Sequence, residues 1–128
     1  MYEGRGSASI VLMVAVVVVG VAVVFHGQVA EAATYSVGGG GGWTFNVAGW
    51  PRGKNFKAGD KLVFNYNSGV HNVVSVDRGG YRRCTTPRRA KMYRSGKDQI
   101  KLVKGQNFFI CNFSGHCESG MKIAVTAM

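Results

Sequence analysis

The stretch "CNFSGHCESGM" (residues 111–121) places two cysteines, a histidine and a methionine within eleven residues. Thiol, imidazole and thioether donors packed this closely fit four chemistries: a disulfide loop, a zinc clamp, a catalytic thiol, or a site for a softer metal. The flanks say what carries it. "NFFIC" (107–111) and "MKIAVT" (121–126) are rich in β-branched and aromatic residues, so the donors sit in and beside a loop between two strands.

Working outward, "KLVFNY" (61–66), "HNVVSV" (71–76) and "QIKLV" (99–103) have the same character, and glycine, asparagine or proline turns separate most of the segments. "TYSV" (34–37) and "WTF" (43–45) are expected strands divided by the glycine run 38–42. No stretch keeps a helical period, and "PRRAKMYRSG" (87–96) is the place expected to hold a turn or two of helix. Several short strands at this spacing predict an all-β sandwich or Greek-key barrel, with one short helical segment in the 77–97 region.

The N-terminal part reads differently. Residues 10–25, "IVLMVAVVVVGVAVVF", are apolar and uncharged, follow Arg5, and precede an Ala30-x-Ala32 step. A basic start, a short apolar core and a small-residue step define a secretory signal peptide, and sixteen residues fall short of the about 20 that a membrane span needs. We therefore expect residues 1–32 to be removed, leaving a 33–128 domain in the extracellular matrix with no membrane anchor. The whole chain carries 16 Lys+Arg against 6 Asp+Glu. Arg5, Glu3 and Glu31 fall in the signal, so the domain keeps 15 basic and 4 acidic residues.

Three cysteines in an exported domain leave one thiol over once a disulfide forms. Cys84, Cys111 and Cys117 allow three pairings, and spacing does not choose between them. The metal reading does discriminate. Cys111, His116 and Met121 follow Cys-x4-His-x4-Met, and His71 opens a strand. One thiolate, two imidazoles and a thioether form the donor set of a blue-copper site, three strong ligands and a weak axial sulfur. Zinc would take both local cysteines and both histidines and ignore Met121. A Cys111–His116 nucleophile would leave Met121 and His71 without a role.

"GGWTF" (41–45), "FKAGDKLVFNY" (56–66), "HNVV" (71–74), "SGKDQIKLVKGQNFFICNF" (95–113) and "GHCESGMKIAV" (115–125) together resemble the plantacyanins, the basic blue proteins of the phytocyanin family of cupredoxins. The resemblance runs from about residue 33 to the end. It implies a cupredoxin fold, one type 1 copper held by His71, Cys111, His116 and Met121, and a Cys84–Cys117 disulfide. Asn72, beside a ligand, would tie the two ligand loops together and donate toward the thiolate sulfur. The chain departs from the family pattern in its glycine run and in "DRGGYRRCTTPRRAKMYRSGK" (77–97), which holds eight of the fifteen domain cations.

Four protein ligands leave no open position for a substrate, so the expected function is one-electron transfer rather than enzymatic turnover. The redox partner, unidentified by the sequence, would be met at the edge of His116. The alternative is an extracellular signalling or wall-binding module in which copper is mainly structural; a signalling role in plant reproduction is among those suggested for plantacyanin-like proteins. The cations favour an acidic wall polysaccharide as partner; export and the lack of a nucleic-acid motif exclude nucleic acid. A monomer is expected. Asn112-Phe113-Ser114 fits a glycosylation sequon, but a glycan there would crowd the metal loop, so it is expected to stay empty.

Overall fold

A computed structural model describes residues 31–128. The apolar run, and all but the last two residues of the expected signal peptide, lie outside the described residues. Among the described residues seven strands form two sheets. β1 (Thr34–Ser36), β2 (Lys61–Asn65) and β5 (Lys97–Lys101) make a three-stranded sheet in the order β1-β2-β5. β3 (Val73–Val76), β4 (Lys91–Tyr93), β6 (Gly105–Ile110) and β7 (Lys122–Ala127) make a four-stranded sheet in the order β4-β3-β6-β7. β1 runs parallel to β2, and the other pairings are antiparallel.

The period of two decides which face is buried. Leu62 and Phe64 of β2 point inward between outward Lys61, Val63 and Asn65, and Ile123, Val125 and Ala127 of β7 alternate with Lys122, Ala124 and Thr126. Aromatic rings join the two sheets. Phe64 meets Trp43 at 5.0 Å and Phe109 at 5.3 Å between centroids, both edge-on. Removing a fully buried ring of this kind (Phe64→Ala) would cost about 3–5 kcal/mol.

Two local expectations need correction. "WTF" is not a strand. Trp43 donates its backbone N–H to Asn65 O, but its side chain plugs the core with Nε1 on Asn72 O (2.9 Å), and Asn46 turns the chain at φ 59°. The short helix falls in the 77–97 region as expected, but at its start rather than over 87–96: α1 spans Arg78–Arg83, capped by Asp77, whose side chain accepts the Gly80 N–H. An acid three residues ahead of a free N–H supplies the N-cap that "PRRAKMYRSG" lacks. There, Lys91–Tyr93 instead pair with β3 as the edge strand β4.

The glycine run is a tight turn, with a short 3-10 turn at Gly39–Gly41. At Gly38 (φ 78°) and Gly42 (φ 72°) a Cβ would lie 2.0 Å from Gly42 O and 2.7 Å from Asn65 O respectively. Gly40 and Gly41 face open space.

Candidate metal centre

β3, β6 and β7 are neighbours in one sheet, so the start of β3, the end of β6 and the start of β7 meet at the same end of it. His71 lies just before β3, Cys111 just after β6 and Met121 just before β7. The Cys111 N–H donates to Met121 O at 3.0 Å, continuing the β6–β7 ladder by one step. His116 stands on the intervening loop. Its N–H donates to Phe113 O (3.0 Å) and its carbonyl accepts from Met121 N–H (3.1 Å).

That loop is braced from outside. The Asn46 and Val47 N–H groups donate to Ser119 O and Gly120 O at 3.2 and 3.1 Å. The approach is close enough that a Cβ on Gly120 (φ 82°) would sit 3.1 Å from Asn46 Cα, which favours glycine there on both counts.

The donors converge. His71 Nδ1 is 3.1 Å from His116 Nδ1, and Cys111 Sγ is 3.5 Å from the same His116 nitrogen. One donor atom from each of the three residues lies within 4.8 Å of the others. Met121 is fully buried in the same core cluster as Cys111. Burial, and then the neighbouring His116, hold the His71 imidazole below its usual value, which favours the neutral, metal-binding form. Burial pushes the Cys111 thiol up, while the backbone N–H groups of Asn72 and Phe113 at its sulfur oppose that and favour the thiolate. A buried sulfur facing two imidazole nitrogens suits a soft cation, so the donor set fits copper.

The remaining sequence residues fall around this centre. Cys84 and Cys117 form the disulfide, with Cα atoms 5.6 Å apart, and Cys111 is the free cysteine. This resolves the pairing that spacing left open and anchors the residue after His116 to the end of α1. Asn72 divides the two tasks expected of it. Its side chain reaches across to Asn112, with Nδ2 donating to Asn112 Oδ1 (2.6 Å) and Oδ1 accepting the Asn112 N–H (3.0 Å). Its backbone N–H serves the sulfur. Asn112 also donates its side-chain N–H to Thr86 Oγ1 at 3.1 Å, so a glycan on that nitrogen would displace a formed contact.

Sequence reasoning missed the aromatic collar. Phe45 meets His116 at 4.8 Å and His71 at 5.5 Å, and Phe113 stacks on His116 at 5.6 Å between centroids. Both phenylalanines are among the exposed large apolar residues, at 42% and 38%. Phe113 beside His116 was a readable signal; Phe45, 71 positions upstream of the histidine, was not.

The plastocyanin-like domain family matches residues 43–121. A protein named Basic blue protein from Arabidopsis thaliana is 60% identical over 129 residues, covering all of both chains. One named Chemocyanin from Lilium longiflorum is 54% identical over 127 residues, covering 99% of each. The solved structure of cucumber basic protein, a blue copper protein, superposes with a TM-score of 0.75 at 66% identity and covers 75% of this chain and 100% of that one.

Proposed function

The chain belongs to the plastocyanin-like family of blue copper proteins, in its basic blue (plantacyanin) branch with a cupredoxin fold, and from that premise we propose that it carries single electrons between redox partners, with copper held by His71, Cys111, His116 and Met121. Bound there, copper supplies a reversible one-electron couple. The residues do the rest. Cys111 and Met121 are sealed in the core, and His71 is only 9% exposed. His116 alone of the four is partly open to solvent, and it is framed by exposed Phe45 and Phe113. That exposure gradient carries the reading, because a partner can approach one ligand edge without water reaching the sulfur. No donor is spared for acid–base or nucleophilic work, so we assign no enzymatic turnover.

The supporting proposal is export. Residues 1–32 act as a signal peptide, and residues 33–128, three quarters of the chain, match in proportion the part that the cucumber structure covers. No helix among the described residues is long and apolar enough to cross a membrane. A second reading rests on the cations: Arg78, Arg82 and Arg83 line a concavity of about 340 Å³ on α1, a face that fits acidic wall polysaccharide.

The test is optical and electrochemical. Copper-loaded, oxidised protein is expected to be intensely blue and to give a reversible one-electron wave, and Cys111→Ser should lose the colour. A blue Cys111→Ser protein overturns the ligand assignment. A blue parent without a reversible wave overturns the electron-carrier role.

A further inference from the structure

The domain begins on a buried carboxylate. Asp60 is 2% exposed, and both of its oxygens are engaged: Oδ1 accepts the Ala33 N–H at 2.8 Å and Oδ2 the Lys57 N–H at 2.8 Å. The Ala33 carbonyl in turn accepts the Lys61 N–H at 2.9 Å, just ahead of the β1–β2 register that starts at Thr34↔Lys61. Going from Glu31 into the fold, the Ala33 N–H is the first backbone group held. Independently, the sequence places its small-residue step, Ala30-x-Ala32, immediately before this nitrogen.

We infer that, once the Ala32–Ala33 bond is cut, the α-ammonium released at Ala33 forms a buried-edge ion pair with Asp60. This rests on the export proposed above. Hydrolysis consumes one water: the Ala32 carbonyl leaves as a carboxylate, and the Ala33 nitrogen keeps its N–H, gains protons and becomes –NH₃⁺. Before cleavage a neutral amide offers Asp60 one N–H. Afterwards the same nitrogen, already 2.8 Å from Oδ1, carries a full positive charge, and Ala33 is exposed, so its two other N–H groups can meet water. A charge-assisted bond replaces a neutral one at an acid otherwise answered by backbone dipoles.

The surroundings make the pair detectable. The Ala33 N–H, then the Lys57 N–H, already hold the Asp60 carboxyl below its ordinary value against the opposing effect of burial, so it is an anion at neutral pH. The charges at this end of the strands are cationic: Lys57 on the turn, Lys61 on β2 and its strand partner Lys101 on β5, whereas Asp98, the acid on β5, pairs with Phe64 three register steps away and is engaged by Tyr66 and Ser95. Those lysines would make a nearby amine easier to deprotonate, and among the described acids Asp60 is the one bonded to the Ala33 nitrogen. A strongly retained proton on Ala33 therefore reports Asp60 specifically.

The full chain is expressed for secretion in plant cells, and the product is analysed for its first residue and for the rate at which its α-amine reacts with isotope-coded acetic anhydride between pH 6 and 10. A chain beginning at Ala33 is expected, with its amine acylated at least about tenfold more slowly at pH 8 than an ordinary α-amine, which titrates at about 7.7–8.0. Asp60→Asn should restore ordinary reactivity with the copper spectrum unchanged. If that variant does not accumulate, inserting one glycine between Ala32 and Ala33 moves the amine off Oδ1 and should restore it equally. A product that begins at Ala33 but reacts at the ordinary rate overturns the pair and leaves Asp60 a turn-capping acid. A product that begins elsewhere overturns the processing assignment, and the pair with it.

Discussion

Asn72 and Asn112 clasp each other across two strand ends: the Asn72 side chain both donates to and accepts from Asn112, at 2.6 and 3.0 Å. The clasp binds the segment after His71 to the segment after Cys111, so two candidate ligands on strands 40 positions apart move as one piece. A metal-bearing frame of this kind holds its shape when charge on the metal changes. Asn72→Ala removes both bonds and leaves Asn112 groups unanswered, which should destabilise the protein by about 1–3 kcal/mol. Denaturant unfolding of the metal-free protein checks this; an unchanged midpoint would mean the clasp is idle.

Met121 is buried beside Cys111, so its identity should tune the centre without exposing it. Met121→Gln offers a harder oxygen, which favours Cu(II) over Cu(I). The reduction potential should fall by at least about 59 mV, one decade in a one-electron equilibrium, while the blue colour survives. Voltammetry that finds the potential unchanged or raised removes Met121 from the axial position.

The Cys84–Cys117 bridge closes a separation of 33 positions. In the chain-entropy account such a loop contributes roughly 3–4 kcal/mol. Cys84→Ala combined with Cys117→Ala should lower the unfolding free energy by that amount. Because Cys117 follows His116 directly, the visible band should also broaden as the imidazole loosens, and a double variant with parental stability would show the bridge to be dispensable.

Tyr66 provides a pH marker. Burial, reinforced by its hydrogen bond to Asp98, pushes the phenol up to about 12. A folded value above the unfolded one, about 10, means that the neutral phenol stabilises the fold below pH 10. That contribution is lost as pH rises through 12. Spectrophotometric titration should show one tyrosine ionising late, and Asp98→Asn should bring it earlier. If all tyrosines ionise together near 10, the Tyr66–Asp98 bond does not persist in solution.

Arg82, Arg83, Arg88 and Arg89 are all exposed on and after α1. Changing the four to Gln should weaken retention on polygalacturonate at low salt and leave the copper spectrum intact. Retention of the parent should itself drop steeply as screening shortens to about 8–10 Å near physiological ionic strength. Equal retention of parent and variant at low salt would exclude this face as the wall contact.

The sequence made some of this legible and hid the rest for identifiable reasons. His71, Cys111 and His116 could be grouped because thiol and imidazole side chains are scarce and chemically explicit, and strands such as β2 and β7 announce themselves by alternation. Trp43 misled because an aromatic, β-favouring triplet is equally suited to plugging a core from irregular chain. β4 was hidden because Lys91–Tyr93, an edge strand with exposed Lys91 and Met92, lacks an apolar face. The N–H groups of Asn72 and Phe113 at the Cys111 sulfur could not be read at all, since every residue but proline has one and only the fold says where it points. Asp60 carried no signal in the sequence, since its contact with Ala33 joins positions 27 apart that only the fold brings together.

The burial of Cys111 has a bearing on how the protein is made. Three thiols leave the ribosome, and two of their three pairings consume Cys111. In the folded chain that sulfur is fully enclosed, while Cys84 and Cys117 stand together with Cα atoms 5.6 Å apart. The fold then works as a protecting group for the cysteine it will later need: a chain that folds before it is oxidised presents Cys84 and Cys117 and withholds Cys111. Oxidant supplied to the unfolded chain would scramble what the same oxidant, supplied after collapse, would join correctly.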